Sequence, residues 1–273
     1  MAEHGSNHLS HVLDHETLEI PWWNPPRHDL TILLPKVFGV QTTRFMLMEL
    51  IVSLLLLIVL IPVVRHIAKH PVSRGWFMNM IEAILLFIRD QIARPTIGGH
   101  AADRFLPYLW TVFFFVLFSN LLGMVPGMSS STANINVTAV LALMTFGMVL
   151  YAGMSEQGIL GFWKGIVPHL DVPGPLKLFL WPLMFMIEVA GLFIKHIVLA
   201  VRLFANMLAG HIVLVVILGF ILTTENWLWY LVMPSSVFGV ILLSILEVFV
   251  AFLQAYIFTF LSALFIGSAV HPH

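Results

Sequence analysis

The chain has 273 residues, of which 59% are hydrophobic and only 10% charged, and its mean hydropathy is +0.96. A water-soluble globule carries about 45–50% apolar and about 25% charged residues, so the sequence reads as an all-α polytopic membrane protein. A net charge of −1 points to neither nucleic acid nor an anionic surface as partner, and zero cysteines exclude disulfides, thiolate chemistry and Cys-ligated metals.

A spanning helix needs about 20 apolar residues, so this length allows about five or six crossings and leaves no room for a separate soluble catalytic domain. Residues 1–45 form a polar N-terminal segment holding Trp22, Trp23, Pro25 and Pro26. It lacks the charged-then-apolar leader and small-residue cleavage site of a signal peptide. His4, His8, His11 and His15 would share one face of a helix, but in a polar tail such spacing is more often unstructured than a metal site.

The first spanning helix is expected at 46–64, between Arg44 and Arg65. The next apolar stretch, 78–92, is too short to cross and is interrupted by Glu82, Arg89 and Asp90, which predicts a helix lying on the membrane surface. Spans follow at 105–126 and 135–154. Residues 155–181, rich in Gly and Pro, read as a loop.

The last third differs, with helical runs at 182–222 and 237–268. At about 1.5 Å per residue these would be roughly 61 Å and 48 Å long, against a hydrocarbon core of about 30 Å. They are expected to form a long, strongly tilted antiparallel hairpin, and a tilted pair commonly wraps around a partner.

Of the 13 Lys and Arg residues, Arg65, Lys69, Arg74, Arg89, Arg94 and Arg104 lie between the first two spans. The positive-inside rule puts that stretch in the cytoplasm. Five crossings then leave the N-terminus outside and the C-terminus cytoplasmic, although no Lys or Arg follows Arg202.

Within the hairpin sit Glu188, Lys195, His196, Arg202, His211 and Glu247. A charge in a spanning segment costs about 2.5–3.5 kcal/mol on insertion scales and is a functional signal by default. Glu188, Lys195 and Arg202 recur every seventh residue on nearly one face, and Asn206 continues it. On the second helix Glu247 and Gln254 are again seven apart, with Ser244 beside them. Facing residues of an antiparallel pair have a constant index sum. One register, centred in the polar turn 223–236, opposes His211 to Glu247 and Arg202 to Gln254.

Plain readings compete with functional ones. Glu188 and Lys195 could snorkel to an interface, and His196 reads as structural. Arg202, about 20 residues from either end of its run, cannot easily snorkel. His211 and Glu247 could form a packing hydrogen bond or a proton relay, since imidazole titrates near neutrality.

The stretch Arg202-Leu203-Phe204-Ala205-Asn206-Met207-Leu208-Ala209-Gly210-His211 resembles the signature of subunit a of rotary F-type ATP synthases. Leu253-Gln254-Ala255-Tyr256-Ile257-Phe258 resembles a second segment of that family. The likeness runs from about residue 100 to the C-terminus. Some bacterial members carry Glu where His211 stands and His where Glu247 stands; here the two are exchanged, as in mitochondrial members.

The resemblance implies a non-catalytic, proton-translocating stator subunit with no cofactor, and an outside N-terminal tail without a transit peptide is expected to fit a bacterial inner membrane best. Its implied partners are the c-ring, the b-subunit peripheral stalk, the rest of the synthase and the lipid bilayer. An outer aqueous half-channel would hold His211 and Glu247, and an inner one Glu188. Arg202 would stand between them, with Gln254 and Asn206 holding its guanidinium or ordered water. A secondary transporter would instead show internal repeats, which are not evident here, and a purely structural stator would not need Arg202 or Glu247.

Overall fold

The structure is a computed structural model that describes residues 17–18, 32–33, 36–37, 40–41, 43–69, 75–125, 130–167, 174–224 and 226–271. The four N-terminal histidines and the Trp22–Pro26 stretch lie outside the described residues. In the N-terminal segment β1 (Thr17–Leu18) pairs antiparallel with β2 (Ile32–Leu33), and β3 (Lys36–Val37) with β4 (Val40–Gln41).

Among the described residues, the regular elements after them are all helical. The helices are α1 (Arg44–Lys69), α2 (Trp76–Phe87), α3 (Arg94–Ile97), α4 (Gly99–Gly123), α5 (Ile135–Gln157), α6 (Ile159–Gly165), α7 (Gly174–Thr223) and α8 (Trp229–Val270). Five of them, α1, α4, α5, α7 and α8, are long and apolar enough to cross a membrane. The molecule is an all-α polytopic membrane protein.

The helix ends follow local chemistry. Between α2 and α3 the chain takes a wider π turn over Ile88–Ala93. Pro95 follows at once, and because it cannot donate to the Gln91 carbonyl and crowds it, the ladder loosens there. Gly98, with φ 94°, ends α3, and Gly158, with φ 76°, separates α5 from α6; both are left-handed conformations that glycine adopts without strain.

Three expected boundaries are corrected. The surface helix expected at 78–92 begins at Trp76 and continues as the π turn and α3 to Ile97. The loop expected at 155–181 contains the end of α5, all of α6 and the start of α7. The first-turn proline of α7 is Pro175 rather than Pro182, which lies inside the helix; a proline in the first turn removes no helical hydrogen bond. The turn expected at 223–236 shrinks because α8 starts at Trp229. There Ser235 donates its hydroxyl to the Leu231 carbonyl at 2.6 Å, so a polar residue is satisfied without leaving the helix.

The chain divides into two compact units, each taking a stretch of all five long helices. In the first (1–59, 114–137, 203–255) the buried apolar side chains include Val52, Phe114, Leu117, Leu203 and Ala251. Its polar interior includes Thr132, which donates to Asn120 Oδ1 at 2.8 Å. The second (60–113, 138–202, 256–273) buries Ile88, Ile92, Ile97, Leu109, Leu199 and Phe258. Trp110 Nε1 donates to the Leu85 carbonyl at 3.1 Å, and Tyr108 donates to Thr145 at 2.8 Å.

The stretch between α2 and α4 carries Arg89 and Arg94, each 3.0 Å from Asp90. The Arg89 hydrogen bond holds the Asp90 carboxyl below its ordinary value. Any stability from this cluster is present above the ordinary carboxylate range and is lost as pH falls through the lowered value; being exposed, it is small.

Burial differs sharply among the spans: 56% of the most apolar window of α4 is buried, but only 6% in α7 and in α8. So much bare apolar surface requires a bilayer or a protein partner.

Among the described glycines of the second unit, Gly267 of α8 is the most tightly packed: an added Cβ would meet the backbone carbonyl of Thr96. A backbone atom cannot yield as a side chain does. Gly267→Ala should destabilise the protein by about 1–3 kcal/mol, read as a lower unfolding temperature in detergent. Gly147→Ala, where the added methyl meets open space, should be neutral or slightly stabilising.

Candidate functional site

In the first unit the α7 and α8 stretches run antiparallel, and their register is set by two close approaches. A Cβ on Gly210 would meet the carboxylate of Glu247, and one on Gly239 would lie 3.9 Å from Ile217. The residue numbers of these pairs sum to 457 and 456, the register that the spacing of polar residues predicts. Small residues at such points let helix backbones approach.

Glu247 is half-buried. With Asn206, Gly210 and Met124 it lines a cleft of about 190 Å³ whose other walls are aliphatic. His211 follows Gly210 and is also half-buried; its Nδ1 lies 3.2 Å from the Met207 carbonyl. Among the described residues no hydrogen bond or ion pair joins His211 to Glu247. Ser244 donates to the Val240 carbonyl at 2.9 Å, and Gln254 is buried.

In the second unit Arg202 is exposed on α7. Glu188 and Lys195 line a separate cavity of about 360 Å³, with Gln157 of α5, Leu192, and Ser268 of α8. Gln157 Nε2 donates to the Ala269 carbonyl at 2.7 Å, tying α5 to the end of α8. His196 is 5% exposed, with Nδ1 2.8 Å from the Leu192 carbonyl and its ring against Phe146 and Phe265. Among the described residues no three His, Asp or Glu side chains gather in a metal-binding group.

Of the residues expected to act together, Asn206 and Glu247 share one cleft, and His211 sits one residue from the Gly210 contact. Glu188 shares its cavity with Lys195. Two contributors escaped the sequence reading. Gly210 has no side chain to announce itself, yet its missing Cβ is what makes room for the Glu247 carboxylate. Gln157 lies beyond the expected end of its helix at 154.

A family model described as "ATP synthase A chain" matches residues 46–267. The chain is 44% identical over 244 residues to "ATP synthase subunit a" of Anaeromyxobacter sp. (strain Fw109-5), a match covering 88% of this chain and 57% of that protein. The protein of the same name from Myxococcus xanthus is 42% identical over 244 residues, covering 88% and 78%. That from Chlorobium phaeobacteroides is 40% identical over 278 residues, covering 98% and 77%. With the family model matched along nearly the whole helical part, the chain belongs to the ATP synthase A chain family.

Proposed function

We propose that this membrane subunit is the ion-conducting stator of a proton-driven ATP synthase. It forms two aqueous half-channels that carry protons to and from a ring of c-subunits. It does no covalent chemistry itself; coupling proton flow to rotation is its contribution. The observation that carries the reading is the Glu247 carboxylate seated against Gly210, beside Asn206 and one residue from His211, on two helices whose most apolar windows are only 6% buried.

The chemistry follows from the residue types. Protons arriving from outside pass the imidazole of His211 and the carboxyl of Glu247, two groups able to take up and release a proton, and reach a carboxylate on the ring. Asn206, in the same cleft as Glu247, has an amide that can hold ordered water. The ring turns its protonated sites through lipid and releases protons toward Glu188 on the inner side.

Arg202 separates the two paths. Its guanidinium does not deprotonate in proteins, so it relays nothing. A fixed positive charge attracts a deprotonated ring carboxylate and disfavours the protonated form, which forces release and blocks a direct leak. Gln254 steadies that guanidinium or its water. Each proton descending about 100 mV supplies about 2.3 kcal/mol, so several are needed for each ATP.

The setting is a bacterial inner membrane, with the N-terminus outside and the C-terminus cytoplasmic, as the cluster of cations between Arg65 and Arg104 favours. The partners are the c-ring, the b-subunit stalk and the catalytic remainder of the synthase.

Two measurements test this in vesicles holding the whole complex. Arg202→Ala should abolish ATP-driven proton pumping and leave a passive proton leak; pumping near the wild-type rate would overturn the reading. Gly210→Ala should leave the fold intact, because the clashing atom is the tip of a flexible side chain. It should nonetheless displace the carboxylate and slow pumping about tenfold or more, whereas Gly219→Ala, in open space, should pump normally.

A further inference from the structure

We infer that Lys195 is a specificity-determining residue of the inner proton path, whose ammonium keeps alkali-metal cations out of the cavity it shares with Glu188. This rests on the proton-path reading above and gives that path its selectivity.

Glu188, Leu192 and Lys195 all line the cavity from α7. Steps of four and three residues put them on one helix face, with the two charged residues about 10 Å apart along the axis. Glu188 is half-buried and Lys195 exposed. Among the described residues no ion pair joins them, so each charge stays open to whatever fills the cavity.

Without its lysine the cavity would suit a metal cation. The other polar residues that line it carry oxygen: the carboxylate of Glu188, the amide of Gln157 and the hydroxyl of Ser268. Gln157 commits its Nε2 hydrogen to the Ala269 carbonyl at 2.7 Å. Ser268 commits its hydroxyl hydrogen to the Phe265 carbonyl at 2.9 Å. Both side-chain oxygens keep lone pairs, and oxygen ligands of these kinds are what hard cations take. A volume of about 360 Å³ has room for several waters, so a cation could enter with part of its hydration shell.

Competition from such ions is severe. At an ionic strength of about 0.15 M, alkali cations outnumber free protons near neutral pH about a millionfold. A carboxylate in a recess gathers counter-ions, and a metal ion lodged against Glu188 would shut out the proton. Among the described lining residues Lys195 alone is cationic. Its charge offsets the carboxylate and repels a further cation, as fixed positive charges do in selective pores.

The proton escapes this exclusion because it forms a bond. A hydronium gives its proton to the Glu188 carboxylate, leaving water and a neutral carboxyl; the reverse step returns it, and no other bond changes. Held as O–H, the proton is no longer a charge beside the ammonium. Sodium or potassium forms no such bond and stays a full charge there.

The test is ATP-driven proton pumping by the complete synthase in vesicles with the cytoplasmic face outward. The bath holds sodium, potassium or choline chloride at equal ionic strength; choline, a quaternary ammonium, screens equally but takes no oxygen ligands. Wild type should pump equally in all three, and so should Lys195→Arg. Lys195→Gln and Lys195→Met should pump about tenfold more slowly in sodium or potassium than in choline, the factor for unit charges about 10 Å apart at an effective permittivity of about 20. Equal rates in the three salts for both neutral variants would overturn the inference. So would loss of pumping in every salt, or failure of both to assemble, since the ammonium would then serve another task. Glu188→Gln measured alongside in choline separates the two readings. If it pumps at the wild-type rate, the inner arm of the proton path fails; if it is slow while the neutral Lys195 variants ignore the salt, only the selectivity of Lys195 falls.

Discussion

Hydrocarbon offers no hydrogen bonds, and that constraint orders this molecule. Every backbone group at membrane depth must be satisfied within its own helix, which is why long helices make up the apolar part of the chain. The same rule reaches the side chains. Thr145, Ser244 and Ser262 return their hydroxyls to carbonyls four residues back, and His196 and His211 turn Nδ1 to carbonyls of their own helix. A polar residue that closes its bonds locally can be carried on an apolar helix at little cost. The Glu247 carboxylate instead lies against Gly210 of the facing helix.

Much of this was legible in the sequence because polar residues in an apolar run are sparse and so carry information. The recurrence of Glu188, Lys195 and Arg202, and of Glu247 and Gln254, at intervals of seven fixes a face on each helix, and opposing those faces yields the register that Gly210 and Glu247 confirm. Helix ends were harder to read. Proline starts many helices, and Pro182 looks like a start; yet Pro175 fills that position and Pro182 sits inside the helix. The polar residues around Ser235 read as a turn because composition does not reveal that a hydroxyl can be satisfied by its own helix.

The missed contributors share one physical reason. Gly210 acts through an absent atom, and only a neighbour brought close by tertiary structure gives that absence meaning. Gln157 contributes through its amide to a helix more than a hundred residues away, a pairing that no local pattern encodes. The π turn over Ile88–Ala93 is similar: Pro95 foretells a disturbance in the ladder, but not that the chain widens rather than breaks.

The close packing of Gly267 on the Thr96 carbonyl has a mechanical side. Just beyond it, His271 Nε2 lies 3.0 Å from the Ile97 carbonyl, so the last turn of α8 is held by backbone contact and by a side-chain bond. A rod fixed in this way at one end behaves as a cantilever. A sideways load along it is resisted as a bending moment at the anchor, and stiffness there is set by unyielding main-chain atoms rather than by side chains that can rotate away. An anchor of this kind leaves the end of the helix no play.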